Sequence, residues 1–242
     1  MMITKFDIPS GDALIHCQVS CRENAPALVF LHGNGEDFHI FDPSISHFSS
    51  DYHIVAIDTR AHGLSTRGTA PLDFHTFSDD LFTVLNTLKI NKTHILGFSD
   101  GAITALHAAL VAPERISSMV LIGVNYHPKG IRWIPRMQIR LHYLLKRSVE
   151  KEIWGLMVHQ PNLTIEELTR IKIPTLLITG ERDLVSQRHN DKINRAITGS
   201  GRIIVPKGDH FWLFTQPELL HRYVGDFLQE SIAKESIRQS QS

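Results

Sequence analysis

Apolar residues fall along this chain in two rhythms. Short unbroken apolar runs occur at "ALVFLHG" (27–33), "YHIVAID" (52–58), "THILGF" (93–98), "SMVLIG" (118–123) and "PTLLITG" (174–180). Their length suits strands buried on both faces. "RIIVP" (202–206) is a last short run of this kind. "TKFDI" and "ALIHCQVS", parted by the turn signal "PSGD", predict a β-hairpin at the start of the chain. The second rhythm has helical spacing. "TFSDDLFTVLNTL" (76–88) carries Phe77, Leu81, Val84, Leu85 and Leu88 as one stripe. "AITALHAALVAP" predicts a helix that stops near Pro113, and "PELLHRYVGDFLQESI" (217–232) one that opens with proline in its first turn. The tail "AKESIRQSQS" is polar and expected to fray. Strand alternating with helix predicts a mostly parallel sheet with helices on both faces. Chemistry in such sheets sits just beyond the carboxyl ends of the strands.

One segment breaks the alternation. Residues 126–173 hold no strand signal but do hold helical patterns, so they are expected to form a helical cap inserted between core segments 1–125 and 174–242. "IPRMQIRLHYLL" places Ile134, Met137, Leu141, Leu144 and Leu145 at helical spacing, and this apolar side is expected to face the pocket or the core. Thr164, followed three residues later by Glu167, is a helix-start signal.

The bulk numbers narrow the class. The chain has 242 residues, 42% hydrophobic and 21% charged, enough to bury a sizeable core without a disulfide or metal. Twenty-five basic and 25 acidic residues balance, which gives no sign of a nucleic-acid partner. The 15 histidines are read as mainly surface or structural, to be singled out only by position. Cys17 and Cys21, on one strand face but too far apart to bridge, are read as free thiols. "MMITKFDIPSGDALIHC" lacks the pattern of a signal peptide, and no apolar run reaches membrane-spanning length. A cytoplasmic protein, monomeric or homodimeric, is the simplest expectation.

The chemistry is concentrated at strand ends. Gly97-Phe98-Ser99-Asp100-Gly101 matches G-x-S-x-G, and it lies between a strand run and a helix run. A tight strand-to-helix turn forces the serine into unfavourable backbone angles, and flanking glycines remove the Cβ clashes. A nucleophilic serine needs a base, and the base an orienting acid. Asp183 in "LLITGERDLV" and His210 in "IIVPKGDHFW" each follow a strand. Glu181 and Asp209 are the neighbouring acids, less well placed to face the histidine. The glycine-rich "FLHGNG" follows another strand. Its Asn34 N–H and the N–H of Asp100 are the expected oxyanion donors. His32 and the "DTRAHGLS" residues Asp58, Arg60 and His62 are read as structural.

Taken in order, "HGNG", "DTRAHGLS", "GFSDGA", "TGERD" and "GDHFW" resemble the α/β-hydrolase family, specifically its small cap-bearing esterase and carbon–carbon hydrolase branch. The resemblance spans roughly residues 3 to 232. It implies an α/β fold with an eight-stranded, mostly parallel sheet, the second strand antiparallel, and a short helical cap. It makes Ser99 the nucleophile, His210 the base and Asp183 the orienting acid, with no metal or cofactor. Gly33, Phe98, Met137 and Phe211 are candidate contacts for a small-molecule substrate. The implied reaction is cleavage of an ester, thioester or lactone. Carbon–carbon cleavage of a small diketone and a non-catalytic ligand sensor are the alternatives. The expected cap carries nine basic and four acidic residues, read first as a solvated polar face of its helices; if those charges face the pocket instead, they point to an anionic substrate. Trp133, Trp154 and Trp212 are further candidates to line an acyl pocket or pack in the core.

Overall fold

The computed structural model describes residues 2–240. In chain order its main elements are β1 (Met2–Ser10), β2 (Ala13–Cys21), β3 (Ala27–Leu31), α1 (Asp42–Phe48), β4 (His53–Ile57), α2 (Phe74–Thr87), β5 (Thr93–Phe98), α3 (Asp100–Val111), β6 (Ile116–Ile122), α4 (Trp133–Leu145), α5 (Ser148–His159), α6 (Ile165–Thr169), β7 (Thr175–Gly180), α7 (Gln187–Ala196), β8 (Gly201–Val205), α8 (Trp212–Thr215) and α9 (Pro217–Ser240). The eight strands form one sheet in the order β1-β2-β4-β3-β5-β6-β7-β8. β2 runs antiparallel to both β1 and β4, and every later pairing is parallel. The expected architecture, including the antiparallel second strand, is the one observed.

The apolar runs explain the two-sided burial. Successive side chains point to opposite faces of a strand. Val29 and Leu31 of β3 therefore join Ile95 of β5 and Leu121 of β6 in a core closed by α2 and α3. Leu28 and Phe30 join Leu96 and Val120 in a second core closed by α1 and α9. Local signals set the helix starts. Asp73 caps α2 by accepting from Thr76 N–H at 2.8 Å. Thr164 and Glu167 form a reciprocal capping box at α6.

Two expectations change. The last helix continues through Ala233, Lys234 and Glu235 to Ser240 rather than fraying after residue 232. Its extension is held by the Lys234–Glu230 pair at 2.6 Å and by Glu235 on Lys92 at 2.5 Å. The end of that tail, residues 241–242, lies outside the described residues.

The second change concerns α4. Its apolar side faces solvent: Ile134, Met137, Leu141, Leu144 and Leu145 are each 51–70% exposed. Ile139 is the residue turned inwards, at 8%. At about 100° per residue it lies opposite the stripe centred on Met137 and Leu141. The entry into α4 fixes that rotation, because Ile131 bridges to Val185 and Arg132 N–H donates to Leu184 C=O at 2.8 Å. No helix among the described residues is long and apolar enough to cross a membrane.

Candidate active site

Ser99 stands at the junction of β5 and α3, with φ 50° and ψ −113°, a conformation that non-glycine residues rarely adopt. Its N–H donates to Ile122 C=O at 2.8 Å, which pins the turn to the end of β6. The flanking glycines are there for space. A Cβ on Gly101 would lie 2.1 Å from Leu31 C=O, and one on Gly97 would lie 2.6 Å from Ala102 N. Asp100 opens α3, so its N–H has no acceptor within the helix.

Ser99, Asp183 and His210 come together in one hydrogen-bonded chain. Ser99 Oγ is 3.2 Å from His210 Nε2, and His210 Nδ1 is 2.7 Å from Asp183 Oδ1. Asp183 is 1% and His210 5% exposed. The Asp183 carboxylate is also held by the N–H groups of Val185 (3.0 Å) and Gly180 (3.3 Å). These bonds leave Nδ1 as the protonated nitrogen and Nε2 free to accept from the serine. The neighbouring acids are committed elsewhere. Glu181 accepts from Lys207 N–H and Asp209 from Phe211 N–H.

Asn34 ties three elements together. Its side-chain amide donates to Asp100 Oδ2 and to Ile153 C=O of α5, both at 2.8 Å. Both partners are acceptors, which assigns the atom facing them as nitrogen. Gly33, expected to touch substrate, instead donates its N–H to Glu36 Oε2 at 3.0 Å and stands outside the cavity lining. The loop doubles back so that its own carboxylate occupies that N–H.

The cavity above Ser99 has a volume of about 490 Å³. Phe98 and Phe211 line it, and the Phe98 ring lies 5.0 Å from the His210 ring, centre to centre. Met137 does not: it is 63% exposed on the outer side of α4, and Ile139 takes its place at the wall. Of the three tryptophans only Trp154 lines the cavity. Trp212 is in the core, and Trp133 is exposed.

The charge that lines the cavity is acidic, and the basic residues of 126–173 stand off it, as a solvated face would. Glu36, Asp100 and Glu150 line it, and none of the nine lysines and arginines between 126 and 173 does. Burial pushes the Glu36 carboxyl up to about 7, opposed by the Gly33 N–H and the nearby His210. Burial likewise pushes Asp100 up to about 6, opposed by the Asn34 amide and His210. Sequence reasoning stopped at "HGNG" and passed over Glu36. The available signal was a carboxylate one residue beyond a glycine-rich strand-end turn.

The "DTRAHGLS" loop is a brace. Asp58 accepts from the N–H groups of Phe38 and Leu64, each at 2.9 Å, and Arg60 forks onto Asp80 at 2.7 and 2.9 Å. His32 accepts from Thr59 N–H through Nε2, and burial holds it down at about 4. No cluster of His, Cys, Asp or Glu among the described residues is arranged to hold a metal ion.

Comparison with known proteins agrees with this architecture. The alpha/beta hydrolase fold family matches residues 26–153. The human serine hydrolase BPHL is 31% identical, across 94% of this chain and 87% of the relative. Carboxylesterase YbfK of Bacillus subtilis is 25% identical across 88% of this chain and 83% of its own. The enol-lactonase of Burkholderia xenovorans LB400 superposes with a TM-score of 0.79 at 20% identity, covering 93% of this chain and 100% of that one. This chain belongs to the α/β-hydrolase fold family and is an enzyme of the α/β-hydrolase type.

Proposed function

We propose that this chain is a serine hydrolase that cleaves a small ester, thioester or lactone through an acyl-enzyme on Ser99. The observation that carries the reading is the relay Asp183–His210–Ser99, with links of 2.7 and 3.2 Å, in the wall of a cavity of about 490 Å³. His210 Nε2 takes the Ser99 proton as Oγ attacks the carbonyl carbon. The carbonyl π electrons move to oxygen, where the N–H groups of Asn34 and Asp100 hold the charge. As the tetrahedral species collapses, the Nε2 proton passes to the leaving oxygen or sulfur. Water then gives a proton to Nε2 and attacks the acyl carbonyl, returning free Ser99 and a carboxylic acid. Asp183 keeps the imidazole oriented and stabilises its protonated form.

In this reading residues 126–173 are the cap, since Ile139, Glu150, Ile153, Trp154 and Met157 from that segment line the cavity. The three lining carboxylates favour a neutral or positively charged substrate over a carboxylate-bearing one. None of the basic residues of the cap lines the cavity, although Lys146 pairs with Glu150 at 3.1 Å.

A fluorophosphonate probe tests the nucleophile. Wild type is expected to be labelled and Ser99→Ala not. Equal labelling of both removes the assignment. Turnover of short p-nitrophenyl esters is expected to fall by roughly a thousandfold or more in His210→Ala. A wild type that is labelled but turns over nothing would make the fold a binding device.

A further inference from the structure

The outer face of α4 has no partner within the molecule. Trp133, Ile134, Met137, Leu141, Leu144 and Leu145 are 51–70% exposed, and they fall within about a third of the helix circumference. A run of large exposed side chains on one short helix is far outside the scattered exposure of ordinary surfaces. The same stretch is strongly basic. From Tyr126 to Val149 there are six cations, Lys129, Arg132, Arg136, Arg140, Lys146 and Arg147, and no acid. Among the described residues the one ion pair these make is Lys146 with Glu150. Arg132, Arg140 and Arg147 are exposed beside the apolar stripe.

We infer that α4 is an interfacial helix, which lays its apolar face into an anionic lipid surface while its flanking cations meet the headgroups. Two features of the helix select this occupant. An amphipathic helix with aromatic and aliphatic residues on one face and arginines at its flanks is the form that lies in a membrane interface. A second copy of the chain fits poorly, because a two-fold interface would bring the exposed Arg132, Arg140 and Arg147 of each copy towards those of the other. At 13 residues the helix is too short to span a bilayer, so it lies on the surface. Ile139, on the opposite side, lines the cavity above Ser99, so docking sets the roof of that cavity against the lipid. An ester held at a membrane surface would then have a short path to the site.

The test is co-sedimentation with large unilamellar vesicles, and it needs no catalytic activity. Vesicles of phosphatidylcholine with about 30% phosphatidylserine are expected to pull down wild type at low salt, while pure phosphatidylcholine retains little. Raising salt to about 0.5 M is expected to weaken binding by roughly tenfold or more. The double variant Leu141→Glu/Leu144→Glu is expected to lose binding while retaining wild-type melting temperature and turnover of a soluble p-nitrophenyl ester. Trp133 emission is expected to shift to the blue with anionic vesicles, and the shift to disappear in Trp133→Phe. The inference is overturned if wild type stays in the supernatant, or if the double variant binds equally well. A dimer in sedimentation velocity that the double variant splits, with no vesicle binding by either, overturns it in favour of a second copy.

Discussion

At the scale of single residues, the side chain after Ser99 is the informative one. Asp100 is 6% exposed, bonded to Asn34, and in contact with the cavity. Its carboxyl is raised to about 6, so it is a neutral acid well below that pH and a carboxylate above it. A substrate carboxylate in this cavity would be repelled by that charge, by roughly a tenfold factor in binding. Asp100→Asn keeps an acceptor for Asn34 and removes the charge. At pH 8 it is expected to raise kcat/KM for a carboxylate-bearing ester relative to its methyl ester by roughly tenfold. Below pH 6 the gain should fade, because the wild-type group is then protonated. A selectivity ratio unmoved by the substitution at pH 8 would remove Asp100 from substrate choice. Ser99, Asp183 and His210 were legible as neighbours because each follows a strand, and parallel strands end on one edge. Glu36 was not, because its burial depends on the cavity closed by α5, more than a hundred residues later in the chain.

At the scale of elements, the end of β6 makes room for the His210 ring. Gly123, directly after β6, has φ +62°, and a Cβ there would lie 2.6 Å from His210 Cε1 and 2.9 Å from Nδ1. Gly123→Ala would have to push the imidazole off its line to Ser99. We expect a loss in kcat/KM of roughly a hundredfold and a stability cost of about 1–3 kcal/mol. Gly199→Ala separates clash from strain, since Gly199 has φ +79° and nothing within 4 Å of its added Cβ. That variant should lose stability and keep full turnover; if both variants keep turnover, β6 does not set the histidine. The sequence displayed Gly123 as a strand end, but its contact arises from a loop 87 residues further on. The strands themselves were readable because burial on both faces forces an unbroken apolar run. The direction of α4 was not. Apolar spacing reveals that a helix has a face, while the neighbour that meets it is set by how the chain enters, here through the Ile131–Val185 bridge. The most apolar side of α4 went to solvent for that reason.

At the scale of the whole molecule, the histidine count becomes a statement about acid stability. His32, His62, His94, His107 and His189 are all buried and all held down at about 4, burial being the largest cause for each. In the unfolded chain such groups take up protons near 6.5. Between pH 6.5 and about 4 the unfolded state therefore binds up to five protons that the folded state refuses, and stability falls as pH falls. Glu36 and Asp100 act with the opposite sign. Their folded-state values, about 7 and about 6, lie above the unfolded ones, so they bind protons first in the folded state and add stability as pH drops through that range. Five imidazoles outweigh two carboxyls, leaving up to three net protons near pH 5. The corresponding slope is on the order of 4 kcal/mol per pH unit at its steepest, enough to exhaust the stability of an ordinary domain within two or three pH units. Denaturant midpoints measured from pH 8 to pH 4 should thus hold nearly level down to about pH 6.5 and then drop steeply. His107→Gln, which removes one buried imidazole, should flatten that slope by about 1.4 kcal/mol per pH unit whatever it costs at neutral pH. A midpoint that stays level to pH 4 would mean that these histidines take up protons in the folded state as readily as in the unfolded chain.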